Sequence, residues 1–176
     1  KPTPGVIRQN IDERFGQKGR AGKAWYKKVG VVYQNPDYQL FMPTVENEIK
    51  FGAKSDEYAD EIAEKFGVKQ LYARHPQSLS EGQKRRVSIA AVVATDPEVL
   101  ILDEPTVGQD YKGLCEMVEV LNRIHEETHN TMITVTHDKR CAAALCDRSI
   151  WIKDGKTYQT GAKELVDAFF IRIGRN

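Results

Sequence analysis

Residues 99–104 read VLILDE, a run of four apolar residues followed by two carboxylates, Asp103 and Glu104. Such a short, continuous apolar run is typical of a strand that is covered on both faces of a sheet. Ligands of open α/β sheets bind beyond the carboxyl ends of the strands. An aspartate at that position can hold Mg²⁺, and its neighbour can polarise an attacking water. Taken alone, the hexapeptide is equally compatible with an acidic turn after a strand.

Strands and helices alternate on both sides of this run. The sequence predicts further strands at residues 29–33, 132–135 and 149–153, and helices at residues 113–126, Lys139–Leu145 and 163–170. The stretch before VLILDE is instead helical, with a short helix capped at Thr44, a second at 56–66 and a third that starts at Ser80. This pattern predicts a mostly parallel sheet with helices on both faces and a helical subdomain inserted into it.

The composition limits the classes of protein that remain. The 176 residues are 40% hydrophobic and 29% charged, which suits one globular domain. Lys and Arg number 26 against 25 Asp and Glu, so the basic excess of a nucleic-acid-binding protein is missing. No apolar run approaches the roughly 20 residues that span a bilayer, and the first residues do not resemble a signal peptide. Three cysteines without CxxC spacing indicate neither disulfides nor zinc, so we expect a soluble cytosolic domain.

Two further motifs carry polar groups that suit a phosphate. Residues 79–83, LSEGQ, place a hydroxyl, a glycine and an amide at a helix start, which favours anions; a well-capped helix is the alternative. Lys84, Arg85 and Arg86 follow, and we expect them to form a solvated face rather than a phosphate site. His137 follows a later predicted strand, where an imidazole can donate to a phosphate oxygen or have a purely structural role.

Together, these motifs resemble the ATP-binding cassette ATPases. The resemblance rests on five motifs in the family's order and spacing, which are Gln34, residues 79–83, Asp103 with Glu104, Gln109 with Asp110, and His137. It covers nearly the whole chain. It implies an α/β, P-loop NTPase-like fold in which residues 43–95 form the helical signature subdomain. Residues 1–42 and 96–176 would then form the RecA-like core and the C-terminal part.

The resemblance implies a role for each residue near the ATP that the chain itself would bind. Gln34 corresponds to the glutamine that contacts Mg²⁺ and the attacking water. Asp103 corresponds to the Walker-B aspartate, which binds Mg²⁺ and ATP, and Glu104 corresponds to the general base. His137 corresponds to the switch histidine, which contacts the γ-phosphate.

Other residues are implied to contact ATP that is bound by the opposite subunit of a dimer. They are Ser80, Gly82 and Gln83 of the signature motif and Asp110 of the D-loop. The chain departs from the family at Glu81, where glycine is usual, and at Gln109, where leucine is common. A carboxylate at position 81 either weakens nucleotide binding in trans or points into solvent.

A finer resemblance is to the energy-coupling-factor and cobalt-type importers. It is carried by residues 33–41 (YQNPDYQLF), 44–46, 51–52 and 108–110. It implies uptake of a vitamin or a transition-metal ion, powered by hydrolysis of ATP with Mg²⁺. The implied partners are a second ATPase subunit, identical or different, and transmembrane subunits, with no nucleic acid. The implied location is cytoplasmic, peripheral on the inner face of the cell membrane.

The phosphate-binding motif GxxxxGK[ST] does not occur in these residues. Residues 19–24 resemble the end of this motif, but Gln17 occupies the position of its first glycine and Ala24 occupies the position of its serine or threonine. Residues 155–157 also contain Gly-Lys-Thr, but they are predicted to form a hairpin. We therefore expect the P-loop and the N-terminal strands to be absent from this chain, so that ATP hydrolysis in cis fails or is very weak. A non-hydrolysing dimerisation module is one alternative. An ABC-type DNA-repair ATPase is another, and it is disfavoured because residues 34–80 lack sustained heptads.

Overall fold

The computed structural model describes residues 28–162 and 165–166. Its strands are β1 (Val29–Val32), β2 (Val99–Asp103), β3 (Thr131–Val135), β4 (Arg148–Lys153) and β5 (Lys156–Ala162). Its helices are α1 (Val45–Lys50), α2 (Asp56–Lys65), α3 (Glu81–Val93), α4 (Tyr111–Thr128) and α5 (Lys139–Leu145). The P-loop imitation at 19–24 and most of the helix predicted at 163–170 lie outside the described residues.

The strands β1, β2 and β3 form a parallel sheet in that spatial order. Val31, Ile101 and Ile133 lie side by side across the sheet. Parallel strands need crossover connections, which α1 to α3 supply between β1 and β2, and α4 between β2 and β3. The three carboxyl ends therefore meet at one edge of the sheet, which confirms the predicted α/β class and the parallel arrangement.

The strand β4 does not join this parallel sheet, so the predicted strand at 149–153 is confirmed while its expected place in the sheet is wrong. It pairs antiparallel with β5 in a separate two-stranded sheet. Asp154 and Gly155 join the two strands with positive φ angles of 50° and 72°. Positive φ at both central residues is typical of the tight turns in hairpins, which return the chain beside the strand it has left. The hairpin predicted at 155–157 is thereby confirmed.

Each of the three helices between β1 and β2 begins at a hydroxyl residue. Thr44, Ser55 and Ser80 each accept a hydrogen bond from the backbone N–H three residues on, at 3.2, 3.1 and 3.4 Å. The Ser80 backbone N–H also donates to Oε1 of Gln83 at 3.1 Å, which completes the predicted capping box. These bonds satisfy N–H groups that a helix start leaves free, and they fix where each helix begins.

The helix α3 packs against α1, α2 and β1. Its buried apolar residues are Val87, Ile89, Ala90 and Val93. It runs antiparallel to β1, because Val92 near its end lies beside Gly30 while Arg85 near its start contacts Tyr33. A β-carbon at Gly30 would lie only 2.5 Å from Cγ1 of Val92, so the close approach requires glycine. Among the described residues, no helix has both the length and the apolar character needed to cross a membrane.

Candidate functional site

Glu104 follows β2 in an unusual backbone conformation, with a φ of 49°. A positive φ is uncommon for a residue with a side chain and often marks a functional site. The Glu104 backbone N–H donates to the carbonyl of Val135 at 2.8 Å, which ties it to the end of β3. Its carboxylate accepts hydrogen bonds from Oγ1 of Thr136 at 3.1 Å and from the backbone N–H of His137 at 3.0 Å. The side chain is buried and held in one orientation at the edge of the sheet.

His137 lies directly against this carboxylate. Its Nδ1 is 2.6 Å from Oε1 of Glu104, while 79% of the imidazole side chain is exposed. The hydrogen bond to Glu104, together with the negative charge of that carboxylate, raises the pKa of His137 above its ordinary value. The structure thus brings the two predicted residues together and leaves the imidazole accessible to a ligand at this edge.

Asp103 and Gln34 extend the same edge toward β1. Asp103 is the last residue of β2, and Gln34 lies exposed just beyond the end of β1. No group of three His, Cys, Asp or Glu that could hold a metal occurs within residues 28–162 and 165–166. Mg²⁺, however, usually takes only one or two protein oxygens and completes its shell with waters and phosphates. A carboxylate and an amide oxygen at neighbouring strand ends fit Mg²⁺ that is bound together with a nucleotide.

A second group of polar residues lines an open groove of about 590 Å³ at the start of α3. Its lining includes Ser80, Glu81, Gly82, Gln83 and Asp110. The first N–H groups of a helix have no partner within it, and the positive end of the helix dipole lies there. The Ser80 hydroxyl accepts from only one of these groups, the N–H of Gln83. The groove therefore suits an anion such as a phosphate.

Gln109 joins the start of α3 to the start of α4. Its Nε2 donates to the carbonyl of Gly82 at 3.1 Å. Next to it, Asp110 caps α4 by accepting from the backbone N–H of Gly113 at 2.7 Å. The sequence marked Gln109 only as a departure from the family, and the structure shows that this side chain connects two parts of the groove.

Glu81 occupies the position where the family usually has glycine. Its side chain is 66% exposed, and its Oε1 lies 3.3 Å from Nζ of Lys84. The carboxylate therefore lies in solvent, where the neighbouring ammonium offsets its charge. Glu81 is thus exposed, and it also lines the groove at the start of α3.

The three basic residues after Gln83 do not form a solvated face, so that expectation is wrong. Lys84 and Arg85 are only 7% and 2% exposed. Nζ of Lys84 contacts Oδ1 of Asp37 at 2.8 Å, and Nη2 of Arg86 contacts Oε2 of Glu116 at 2.6 Å. These partners offset the free energy of burying charge, and they lie far away in the sequence, where a local charge pattern does not reveal them.

Two residues that position Gln34 and Glu104 at the carboxyl edge of the sheet, Arg85 and Thr136, were missed by sequence reasoning. Arg85 donates through Nη1 to the carbonyl of Tyr33 at 2.7 Å and through Nη2 to the carbonyl of Gln34. Thr136 holds the Glu104 carboxylate, as described above. The position of Thr136 directly before the candidate histidine was a usable signal, whereas nothing in the sequence distinguished Arg85 from its basic neighbours.

Solved structures that share this fold include the following two. One is cbiO1 from Clostridium perfringens, described as part of the ABC transporter complex cbiONQ, with a TM-score of 0.74 and 32% identity. That alignment covers 89% of this chain and 66% of cbiO1. The other is a dimeric post-hydrolysis state of the ATP-binding cassette MJ0796 bound to ADP and Pi, with a TM-score of 0.73, 24% identity, and coverage of 84% and 68%. The described part of the chain thus has the α/β fold of the ATP-binding cassettes.

The family model for ABC transporters matches residues 1–107. The chain belongs to the ABC transporter family. The energy-coupling factor transporter ATP-binding protein EcfA2 of Enterococcus faecalis is 46% identical to it, and EcfA2 of Bacillus thuringiensis is 42% identical, each over 94% of this chain. The chain spans 61% and 60% of the lengths of these two relatives.

Proposed function

We propose that this chain is part of the ATP-binding subunit of an energy-coupling-factor importer, in which ATP hydrolysis drives uptake of a vitamin or a transition-metal ion. The observation that carries the enzymatic part is the contact of Glu104 with His137 at the carboxyl edge of the parallel sheet. Similarity to the EcfA2 proteins supports the transport class.

In the proposed reaction, a water attacks the γ-phosphorus of ATP, and the bond from that phosphorus to the ADP oxygen breaks. Glu104 accepts the proton of the water at its carboxylate, which Thr136 and His137 hold in place. The exposed imidazole of His137, which its raised pKa keeps protonated over a wider pH range, donates to the γ-phosphate oxygens. Positively charged donors that are already oriented lower the barrier because no reorganisation is needed during the reaction.

We infer that Asp103 and Gln34 hold Mg²⁺ together with the nucleotide. When bound, Mg²⁺ offsets the negative charge of the β- and γ-phosphates. Asp103 supplies the carboxylate at the end of β2, and Gln34 supplies an amide oxygen beyond the end of β1. The ends of these two strands are adjacent in the sheet, which supports this assignment.

The second group of residues is proposed to serve the ATP of a second ATPase subunit, identical or different. This group consists of Ser80, Gly82, Gln83 and Asp110. Its groove is open at the surface, which is where another subunit can reach it, and it lies at a helix N-terminus that suits a phosphate. Gln109 connects the signature residues to the D-loop side of the groove.

We further infer that residues 43–95 form a helical subdomain. Residues 1–42 and 96–176 would then form the core and the C-terminal part, and the sheet of the core would carry helices on both faces. The three helices α1, α2 and α3 pack on each other and come between β1 and β2 in the sequence, which supports the division. Transmembrane subunits are the proposed partners of this subunit, which would then lie peripherally on the inner face of the cell membrane.

The direct test is the substitution Glu104→Gln in the full-length protein, with phosphate release from MgATP as the readout. We expect the rate to fall by about 100-fold or more, the usual contribution of a general base. Glu126→Gln, the same change at an exposed position of α4, is the matched control and should leave the rate unchanged. A Glu104→Gln protein that retains the full rate would rule out the proposed mechanism.

A further inference from the structure

The segment after β1, residues 33–39, carries Gln34 and is held to α3 by two neighbouring cations. Arg85 donates its two terminal nitrogens to consecutive backbone carbonyls, those of Tyr33, at 2.7 Å, and Gln34. Lys84, one residue earlier, contacts Oδ1 of Asp37 at 2.8 Å. These contacts, which we name the loop clamp, join the segment after β1 to the first turn and a half of α3.

The environment of Arg85 is unusual for a charged side chain. It is 2% exposed, and its hydrogen-bond partners are backbone carbonyls rather than a carboxylate. Among the described residues, the Nε of Arg85 is the one buried polar side-chain atom that has no hydrogen-bond partner. An apolar side chain of similar volume would serve packing alone at least as well, because it would not require the desolvation of a charge. A guanidinium at this position therefore indicates a task that needs its two donors.

That task concerns the segment's position on α3, while local bonds and the clamp together hold its shape. Oδ1 of Asn35 accepts from the backbone N–H of Asp37 at 2.9 Å, and the Gln39 amide bridges the Tyr33 N–H and the Val31 carbonyl at 2.8 Å each. These bonds connect the segment to itself and to β1. The polar contacts between the segment and α3 come from the loop clamp.

We propose that Arg85 is a positioning residue that fixes Gln34 relative to the signature residues, so that both move as one unit. The inference rests on the proposed function, in which Gln34 and Ser80 serve two different ATP sites. A displacement of α3 that closes the groove on the ATP of a second subunit then carries the Gln34 backbone with it. The coupling is reciprocal, so that a nucleotide that orders Gln34 also favours the closed position of α3.

The same clamp gives Glu81 a role. Its carboxylate lies 3.3 Å from Nζ of Lys84, which in turn contacts Asp37. The acidic residue at the family's usual glycine position therefore extends the clamp by one ion pair. It connects the signature motif to the segment after β1.

The test is hydrogen–deuterium exchange, followed by mass spectrometry, on the full-length protein with Arg85→Lys. Lysine keeps the charge but cannot donate to two carbonyls in the fixed geometry of a guanidinium. We expect the backbone amides of residues 37–40 to exchange about tenfold faster, as for the loss of one hydrogen bond to a charged group. The amides of β2 should keep their rate. Faster exchange throughout, or no change at 37–40, would overturn the proposal.

Two further variants make the test specific. Arg74→Lys is the matched control, because Arg74 also donates to a backbone carbonyl, that of Ser78, but lies exposed. It should leave residues 37–40 unchanged. Asp37→Asn removes the negative charge from the more exposed half of the clamp and should raise exchange at 37–40 by a smaller factor, so the proposal stays testable if Arg85→Lys does not fold. Unchanged exchange in Asp37→Asn would then overturn it.

The coupling itself is tested by adding a non-hydrolysable ATP analogue with Mg²⁺. In the unmodified protein, we expect protection to appear together at residues 37–40 and at the first turn of α3. In Arg85→Lys, the first turn of α3 should still become protected from exchange, whereas residues 37–40 should not. If Arg85 only stabilised the fold, the two regions would not respond differently. Joint protection in the variant would overturn the coupling. Exchange without nucleotide does not depend on hydrolysis, so failure of the Glu104→Gln test would refute the enzyme assignment separately from the clamp.

Discussion

At the scale of single residues, the contact between Glu104 and His137 can be tested without any nucleotide. In Glu104→Gln, we expect the pKa of His137 to fall toward its ordinary value, because the amide removes both the strong hydrogen bond and the negative charge. The measurement is an NMR titration of the His137 ring protons. Glu126→Gln, at an exposed position on α4, should leave the titration of His137 as it is. An unchanged titration in Glu104→Gln would mean that the 2.6 Å contact does not form in solution.

The direction of this shift also fixes the pH range in which the contact stabilises the fold. The pKa of His137 is higher in the folded protein than its ordinary value. The contact with Glu104 therefore contributes fully below the ordinary histidine pKa and is lost as the pH rises through the raised value. Catalysis that depends on a protonated His137 should decline over the same range, which a pH–rate profile of the full-length protein would show.

Sequence patterns identified those polar residues of the site that directly follow an apolar strand. Asp103 and Glu104 end an apolar strand and His137 follows another, and the parallel sheet brings these positions to one edge. Arg85 could not be found in this way, because its partners are backbone carbonyls 51 and 52 residues away. A carbonyl has no sequence signature, and a basic run is usually solvated, so burial was not predictable.

At the scale of elements, the close packing of α3 against β1 depends on Gly30. We expect Gly30→Ala to lower the free energy of unfolding by about 1–3 kcal/mol, because the added methyl group would overpack the contact with Val92. Thermal or urea unfolding of the full-length protein measures this. Combining Gly30→Ala with Val92→Ala makes room for the methyl, and the double variant should be destabilised by less than the sum of the two single changes. Simple additivity would show that the strand and helix do not meet at this point.

Element boundaries were predicted well where local chemistry sets them, and topology was missed where it does not. Thr44, Ser55 and Ser80 start helices because a hydroxyl can satisfy a free N–H, and this depends on a few neighbouring residues. The strand β4 and the hairpin turn after it were also predicted, whereas the separation of this hairpin from the parallel sheet was not. The choice between joining a parallel sheet and forming a hairpin depends on Asp154 and Gly155, whose positive φ angles reverse the chain.

At the scale of the whole molecule, the ion pairs that join the helical stretch, residues 43–95, to the rest of the described chain have one polarity. In each pair the cation belongs to the helical stretch and the carboxylate lies outside it. The pairs are Lys54–Asp96 at 2.7 Å, Lys65–Glu127 at 2.5 Å, Lys84–Asp37 at 2.8 Å and Arg86–Glu116 at 2.6 Å. The net charge of +1 conceals this separation. A rotation of residues 43–95 that carries the segment after β1 with it would keep the Lys84–Asp37 pair, but it would have to stretch or exchange the other three pairs together.

The pair of Arg86 with Glu116 links α3 to α4 and gives this arrangement a measurable pH dependence. The hydrogen bond and charge of Arg86 lower the pKa of Glu116 below its ordinary value of 4.5. The pair therefore stabilises the fold fully above that value, and its contribution is lost as the pH falls through the lowered pKa. We expect Glu116→Gln to lower the melting temperature of the full-length protein at pH 7, with the difference from the unmodified protein shrinking below pH 4.5 and, through screening, in high salt. Glu119→Gln on the same helix, where the partner Arg123 lies on α4 itself, should show a much smaller difference at pH 7, and an equal one would contradict the link between the two helices.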